Sequence, residues 1–221
     1  MIDLLHHPVL SKLLSLDVTL HGSLIRDTVS GVSLQDFIKG GGVVVCSAKY
    51  AMKVYIERLL APLCTGKKEE SNHVRYSLKT DTAAMIVLIG YFTQPSMQLF
   101  PKPDMDVNLL CLNREALYVR NVAPYGTMYD PAPLGKLMKQ CKERKFALLC
   151  DPKQFGGQQN HLWLASRVEK MIRKGWQHAN SSVTHVKVSD GDVDCSICNS
   201  SKQETASIKT VCNHEFHLSC W

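Results

Sequence analysis

Apolar and polar positions alternate with two different periods along this chain, and those periods set out its elements. In "AKYAMKVYIERLLAPL", Ala48, Ala51, Met52, Tyr55, Ile56, Leu59, Leu60 and Leu63 fall at helical intervals, which predicts a helix over 48–63 that ends around Pro62. "VVVC", after the turn "KGGG", predicts a short buried strand, and "HVRYSL" and "MIVLIGYF" predict two more. "VNLLCLNREALYVRNV" reads as two strands around a turn at Asn113–Glu115. "LGKLMKQCKERK" places Leu134, Leu137, Met138 and Cys141 on one helical face, and "FALLCD" predicts a further buried strand. "LASRVEKMIRKGW" predicts a last amphipathic helix, with Leu164, Val168, Met171 and Ile172 inward and Arg167, Lys170, Arg173 and Lys174 outward.

Periodicity stops after Trp176. "HANSSVTHVKVSDGD" is polar and reads as a linker over 179–192. The predicted layout is an α/β body over 1–178, that linker, and a small cysteine-rich element over 193–221. The fold class expected is α+β, a mixed sheet with flanking helices. No repeat is visible. No apolar stretch is long enough for a membrane helix, and no secretory signal is visible, so a cytoplasmic or nuclear protein without a membrane partner is expected.

Charge and cysteine usage sharpen the division. The chain of 221 residues carries +6, but residues 191–221 hold two lysines against four acids, so the body is the basic part. A basic body suits either an ordinary solvated surface or an acidic partner such as nucleic acid. Cys46, Cys64, Cys111, Cys141 and Cys150 stand singly among apolar residues, as reduced core cysteines do. The other four cluster with two histidines as Cys195-x2-Cys198-x13-Cys212-x-His214-x2-His217-x2-Cys220. Six soft or borderline donors in this order are zinc arithmetic rather than a disulfide framework.

Residues 195–221 resemble a RING finger of the type with two central histidines. The resemblance implies that Cys195, Cys198, His217 and Cys220 share one zinc, and that Cys212 and His214 are half of a second site whose last Cys-x-x-Cys pair is not in this sequence. It also implies a ubiquitin-conjugating enzyme as partner, touched through Ile197 between the first two cysteines. Trp221 follows Cys220 directly, earlier than the tryptophan of the family's contact surface.

"LHGSLIRDTVSGVSLQDFIKGGGVVV" carries a second set of signals. Gly22-Ser23 is a small turn opening a helix, where backbone N–H groups can face a phosphate. Arg26-Asp27, Gly31 and Asp36 follow. In this order they resemble the nucleotidyltransferase superfamily that includes polymerase beta and the CCA-adding enzymes. "FPKPDMDVNLLCL" and "RVEKMIRKGWQ" resemble a version of that domain found in large DNA viruses, which places the protein in a host cell. The resemblance covers roughly 10–178. It implies two magnesium ions between an Asp-x-Asp pair on a strand and a third carboxylate on a neighbouring strand.

The residues argue against that metal pair. The matching letters are Asp36-Phe37-Ile38, one carboxylate with isoleucine as its partner; shifted to "GGVVV", the register has no acid, and "MIVLIGYF" has none either. Asp36 is then at most a remnant metal carboxylate, and magnesium is not expected. Simpler roles are open too: Gly22 as a plain tight turn, Asp27 as a helix-dipole partner. His6-His7 could bind a metal, although adjacent histidines near a terminus usually do nothing, and His161, His178 and His185 have no cysteine or carboxylate at metal-ligand spacing.

The function expected is a RING-type ubiquitin ligase-like protein whose inactive nucleotidyltransferase-like body binds a target protein. One alternative is an active nucleotidyltransferase acting on RNA, protein or a small acceptor. The second is a nucleic-acid-binding protein with a structural zinc, whose binding would fall steeply with salt.

Overall fold

The computed structural model describes residues 2–70, 73–80, 83–93, 103–120, 133–149, 158–179, 183–187, 195, 207–210 and 215–217. The chain divides into two units, one over 1–123 and 129–143, the other over 124–128 and 144–221.

The first unit is α+β, a seven-stranded mixed sheet with flanking helices. In chain order it runs α1 (Ile2–His6), α2 (Pro8–Ser15), β1 (Thr19–His21), α3 (Ser23–Val29), α4 (Leu34–Lys39), β2 (Val43–Lys49), α5 (Lys53–Leu60), β3 (Cys64–Glu69), β4 (Val74–Lys79), β5 (Ala84–Phe92), β6 (Leu110–Leu112), β7 (Leu117–Val119) and α6 (Leu134–Lys142). The strand order is β3-β4-β5-β2-β1-β6-β7, and β2 with β5 is its parallel pair.

Each element has a local cause. Pro8 opens α2, and the ring of His7 caps it, Nδ1 accepting from the amides of Val9 (3.3 Å) and Leu10 (3.4 Å). His7 is therefore a capping residue. Val9, Leu10, Leu13 and Leu14 form the buried stripe of that helix. In α6 the expected face is inward at Leu137 and Cys141, while Leu134 and Met138 are half-buried.

The helix expected over 48–63 begins later, at Lys53, because β2 runs to Lys49 with a ladder partner in β5 as far as Phe92. Tertiary pairing outweighs helical spacing there. Gly42, just before β2, has no room for a side chain: a Cβ would lie 2.5 Å from the Phe37 ring and carbonyl. β6 and β7 form the expected hairpin, its turn held by Asn113 Oδ1 accepting from the amides of Glu115 (2.9 Å) and Ala116 (2.8 Å).

Strand register assigns the two faces. Tyr76, paired with Val87 and Lys67, shares a face with Glu69. Lys67 and Glu69 meet Glu57 and Lys53 of α5 at 3.1 Å each, so α5 lies on that face. Tyr76 and Tyr91 hydrogen-bond there at 3.2 Å. These ion pairs are exposed enough to contribute little individually. β3 is an edge strand, exposed from Thr65 to Glu69, and its lysines discourage edge-to-edge pairing.

The second unit contains β8 (Lys145–Phe146), α7 (Gln158–Arg173), β9 (Gln177–His178), β10 (Val183–Lys187), β11 (Ser207–Thr210) and β12 (Glu215–His217). "FALLCD" gives only the two-residue β8, paired in parallel with β9. α7 buries Leu164, Val168 and Met171 as the spacing predicts, with Ile172 half-buried. The stretch read as a linker contains β10, which pairs with β11 in a three-stranded sheet β10-β11-β12. Its signal, a five-residue run within polar sequence, is too short for periodicity to register. No helix among the described residues is long and apolar enough to cross a membrane.

Candidate functional site

β1 ends on His21, and the chain turns at Gly22 into α3. Gly22 has φ 67° and ψ −134°, a conformation that suits glycine, and a Cβ would meet nothing within 4 Å. The requirement is therefore conformational, with open space beside the turn. Gly22 offers no side-chain cap to α3, and Ser23 is half-buried at its first position.

One turn on, Arg26 and Asp27 are both buried. Arg26 Nε donates to Asp27 Oδ1 at 2.7 Å, and Nη1 donates to Asn108 Oδ1 at 3.1 Å. Asn108 Nδ2 in turn donates to Asp104 Oδ1 at 2.8 Å. Asp106 accepts from the Val107 amide (2.7 Å) and from Gln140 Nε2 of α6 (2.9 Å). Burial pushes the Cys141 thiol up to about 12, with Arg26 pulling it down and Asp106 and Asp27 pushing it up. The structure thus joins two motifs that the sequence presents far apart, "RD" and "PDMDVN", into one buried network through a bond spanning 82 positions. Such groups are tolerated inside a protein only when paired.

The sheet positions beside the turn hold a different set of groups. His21 pairs with Val45 of β2 and Cys111 of β6, so these three side chains and Ser47 share a face. His21 Nε2 lies 2.6 Å from Ser47 Oγ, and Nδ1 lies 3.1 Å from Cys111 Sγ. Cys111 Sγ also reaches the Leu109 carbonyl at 3.5 Å. One proton arrangement satisfies all three contacts: Ser47 donates to Nε2, Nδ1–H donates to Sγ, and the thiol donates to Leu109. Burial, with Arg120 adding to it, pushes the His21 pKa down to about 3. Burial pushes Cys111 up to about 12. A neutral imidazole and an un-ionised thiol, both enclosed, make a structural relay across β1, β2 and β6 rather than a nucleophilic centre.

No carboxylate stands on β1, β2 or β5. The face of β2 that His21 shares carries Val43, Val45 and Ser47. A two-magnesium site does not fit these residues.

Asp36 lies elsewhere than its letters suggest. The expectation put it at the end of a strand, but it is exposed in the first turn of α4, where Ser33 caps the helix. The Asp36 amide donates to Ser33 Oγ (3.1 Å), and Ser33 Oγ donates to Asp36 Oδ2 (2.7 Å). Ser33 thus caps α4 and its hydroxyl also donates to the Asp36 carboxylate, which places Asp36 at a helix N-terminus, where an acid is favoured.

Of the six cysteine and histidine donors in the tail, Cys195 and His217 are described, and both are buried. Cys198, Cys212, His214, Cys220 and Ile197 lie outside the described residues. Among the described residues no group of three or more His, Cys, Asp or Glu could hold a metal.

The relay escapes sequence reasoning because its members stand alone, at 21, 47 and 111. The available signal was polarity out of place, a serine in a valine-rich strand and a histidine closing another.

No family model matches the chain, and no curated protein matches it. Among solved structures, a tRNA-processing enzyme (apo form I) is similar to 77% of this chain and 41% of its own, with 12% identity and a TM-score of 0.41. The chain spans about two fifths of that enzyme's length.

Proposed function

We propose that the chain is an interaction protein: a nucleotidyltransferase-like body without two-metal chemistry, followed by a RING-like zinc element that recruits a ubiquitin-conjugating enzyme to a bound target protein. The observation that carries the reading is the absence of any carboxylate on β1, β2 and β5. Asp104 and Asp106, in the segment that precedes β6, are committed to hydrogen bonds with Asn108, Gln140 and the chain itself. Asp36 is committed to a helix cap. Magnesium held by so few protein oxygens would remain mostly hydrated.

The zinc element is supported by the order of its six donors and by the burial of the two described ones. Thiolate and imidazole ligands are worth burying when a metal holds them, and a small element of this kind draws its folding energy from that metal. In this reading Cys195, Cys198, His217 and Cys220 hold one zinc, Cys212 and His214 contribute to a second, and Ile197 faces the conjugating enzyme. Elemental analysis of the purified chain tests it. About one zinc per chain is expected for a four-donor site, lost in Cys195→Ser. A metal-free chain, or zinc unaffected by Cys195→Ser, overturns it.

The second reading, an active nucleotidyltransferase, is favoured by one observation: the Arg26–Asp27 pair is intact and joined to "PDMDVN", so the motifs behind the family resemblance act as a unit. Incorporation of labelled nucleotide separates the two readings.

A further inference from the structure

The outward face of α7 is unusual in joining an aromatic ring to a run of cations. Trp163 is 44% exposed, although Leu164, Val168 and Met171 already supply the inward stripe of the helix. The Arg167 guanidinium lies over its indole, 5.3 Å from the ring centroid. Lys170, Arg173 and Lys174 continue along the same side and are exposed. Trp163, Arg167, Lys170 and Lys174 recur at spacings of four, three and four, so they form one ridge about 16 Å long at the helical rise.

At the far end, exposed Arg144 donates from Nη1 to the Lys174 carbonyl at 3.4 Å, which brings a fifth cation to the helix C-terminus. Glu169 is ion-paired with Arg173, and Glu143, which precedes Arg144 in the chain, is paired with Lys139. Five cations against these two paired acids favour a polyanion.

We infer that this face binds single-stranded nucleic acid, the cations tracking phosphates while Trp163 stacks on an unpaired base. The indole discriminates among polyanions. An acidic peptide offers no flat face to stack on the indole, and a duplex keeps its base faces covered; an anionic lipid surface could also accept an interfacial indole, so vesicles form a separate arm of the test. Stacking on exposed aromatic rings combined with a basic track is the general solution for single strands, and a guanidinium layered on the ring extends the platform. The inference stands apart from ubiquitin recruitment and requires no chemistry of the sheet.

The test is fluorescence anisotropy of the full chain with a labelled single-stranded oligouridylate about 20 nucleotides long and a duplex of equal length, at about 50 to 200 mM salt. Trp163→Ala is expected to weaken single-strand binding about tenfold while leaving duplex binding within about twofold. Lys170→Glu/Lys174→Glu is expected to weaken binding more than about tenfold and to flatten the salt dependence, since each lost phosphate contact removes about 0.7 from the log–log slope. The substituted side chains are exposed, so thermal transitions should match the unmodified chain; Lys170→Gln/Lys174→Gln repeats the test without charge reversal. The inference is overturned by no single-strand binding at the lowest salt, by both variants binding as the unmodified chain does, or by Trp163→Ala weakening duplex and single strand equally. Capture of polyglutamate or anionic vesicles without RNA binding overturns it as well.

Discussion

Arg26→Ala is expected to destabilise the first unit by about 3–5 kcal/mol, the cost of breaking a buried ion pair from one side. Arg26 is 3% exposed and supplies the positive charge for a centre containing Asp27, with Asn108 and Asp104 beyond it. Its removal takes the guanidinium from the Asp27 carboxylate, leaves Asn108 Oδ1 without that donor, and opens a cavity between α3, the 103–109 segment and α6. Water admitted to the cavity repays only part of this. Arg26→Lys should fall between the two, because an ammonium keeps the charge but cannot direct one donor at Asp27 and another at Asn108. The urea midpoint, followed by circular dichroism on all three proteins, checks the order. A loss below about 1 kcal/mol in Arg26→Ala would show that the pair is no more than a surface contact.

A comparable effect is expected from pH at His21. In the folded chain its pKa is pushed from 6.5 down to about 3, first by burial and then by Arg120. Between those values the unfolded chain holds a proton on this ring and the folded chain does not. Acid therefore favours the unfolded state: stability from this group is complete above pH 6.5, begins to fall there, and is exhausted at about pH 3. The slope approaches about 1.4 kcal/mol per pH unit for one uncompensated proton. His21→Gln removes the titration but weakens the contacts to Ser47 and Cys111, costing about 1–3 kcal/mol at neutral pH. The two stability curves should therefore converge as pH is lowered from 7 to 4. Parallel curves would mean that His21 charges freely in the folded protein.

These two centres also mark the limit of what the sequence discloses. The inward faces of α2, α6 and α7 are legible because burial of one helical stripe repeats along several turns. β4 and β5 are legible as apolar runs. β3 is not, since "CTGKKE" is an edge strand whose side chains are nearly all in solvent and whose only signal is backbone pairing. Asp36 illustrates the opposite error. A motif letter at the right distance suggested a strand carboxylate, while Ser33 three residues earlier was a local cap signal of equal weight, and the local signal wins.

The motif pair itself is half legible. "RD" and "PDMDVN" stand out by composition, yet nothing in the sequence joins them; that takes the packing of α3 and α6 around residues 103–109. The relay among His21, Ser47 and Cys111 depends wholly on strand register, because adjacent strands set which lone polar residues meet.

The central proposal is that the seven-stranded body works without nucleotide transfer. Its most direct test is incubation of the purified full chain with each of the four radiolabelled ribonucleoside triphosphates, in magnesium and in manganese, with RNA and protein acceptors. The account predicts label in acceptor, or in the chain itself, no higher than in the reaction without protein. Incorporation that grows with protein concentration and disappears on chelation would contradict it, and would mean that carboxylates outside β1, β2 and β5 assemble the metal site.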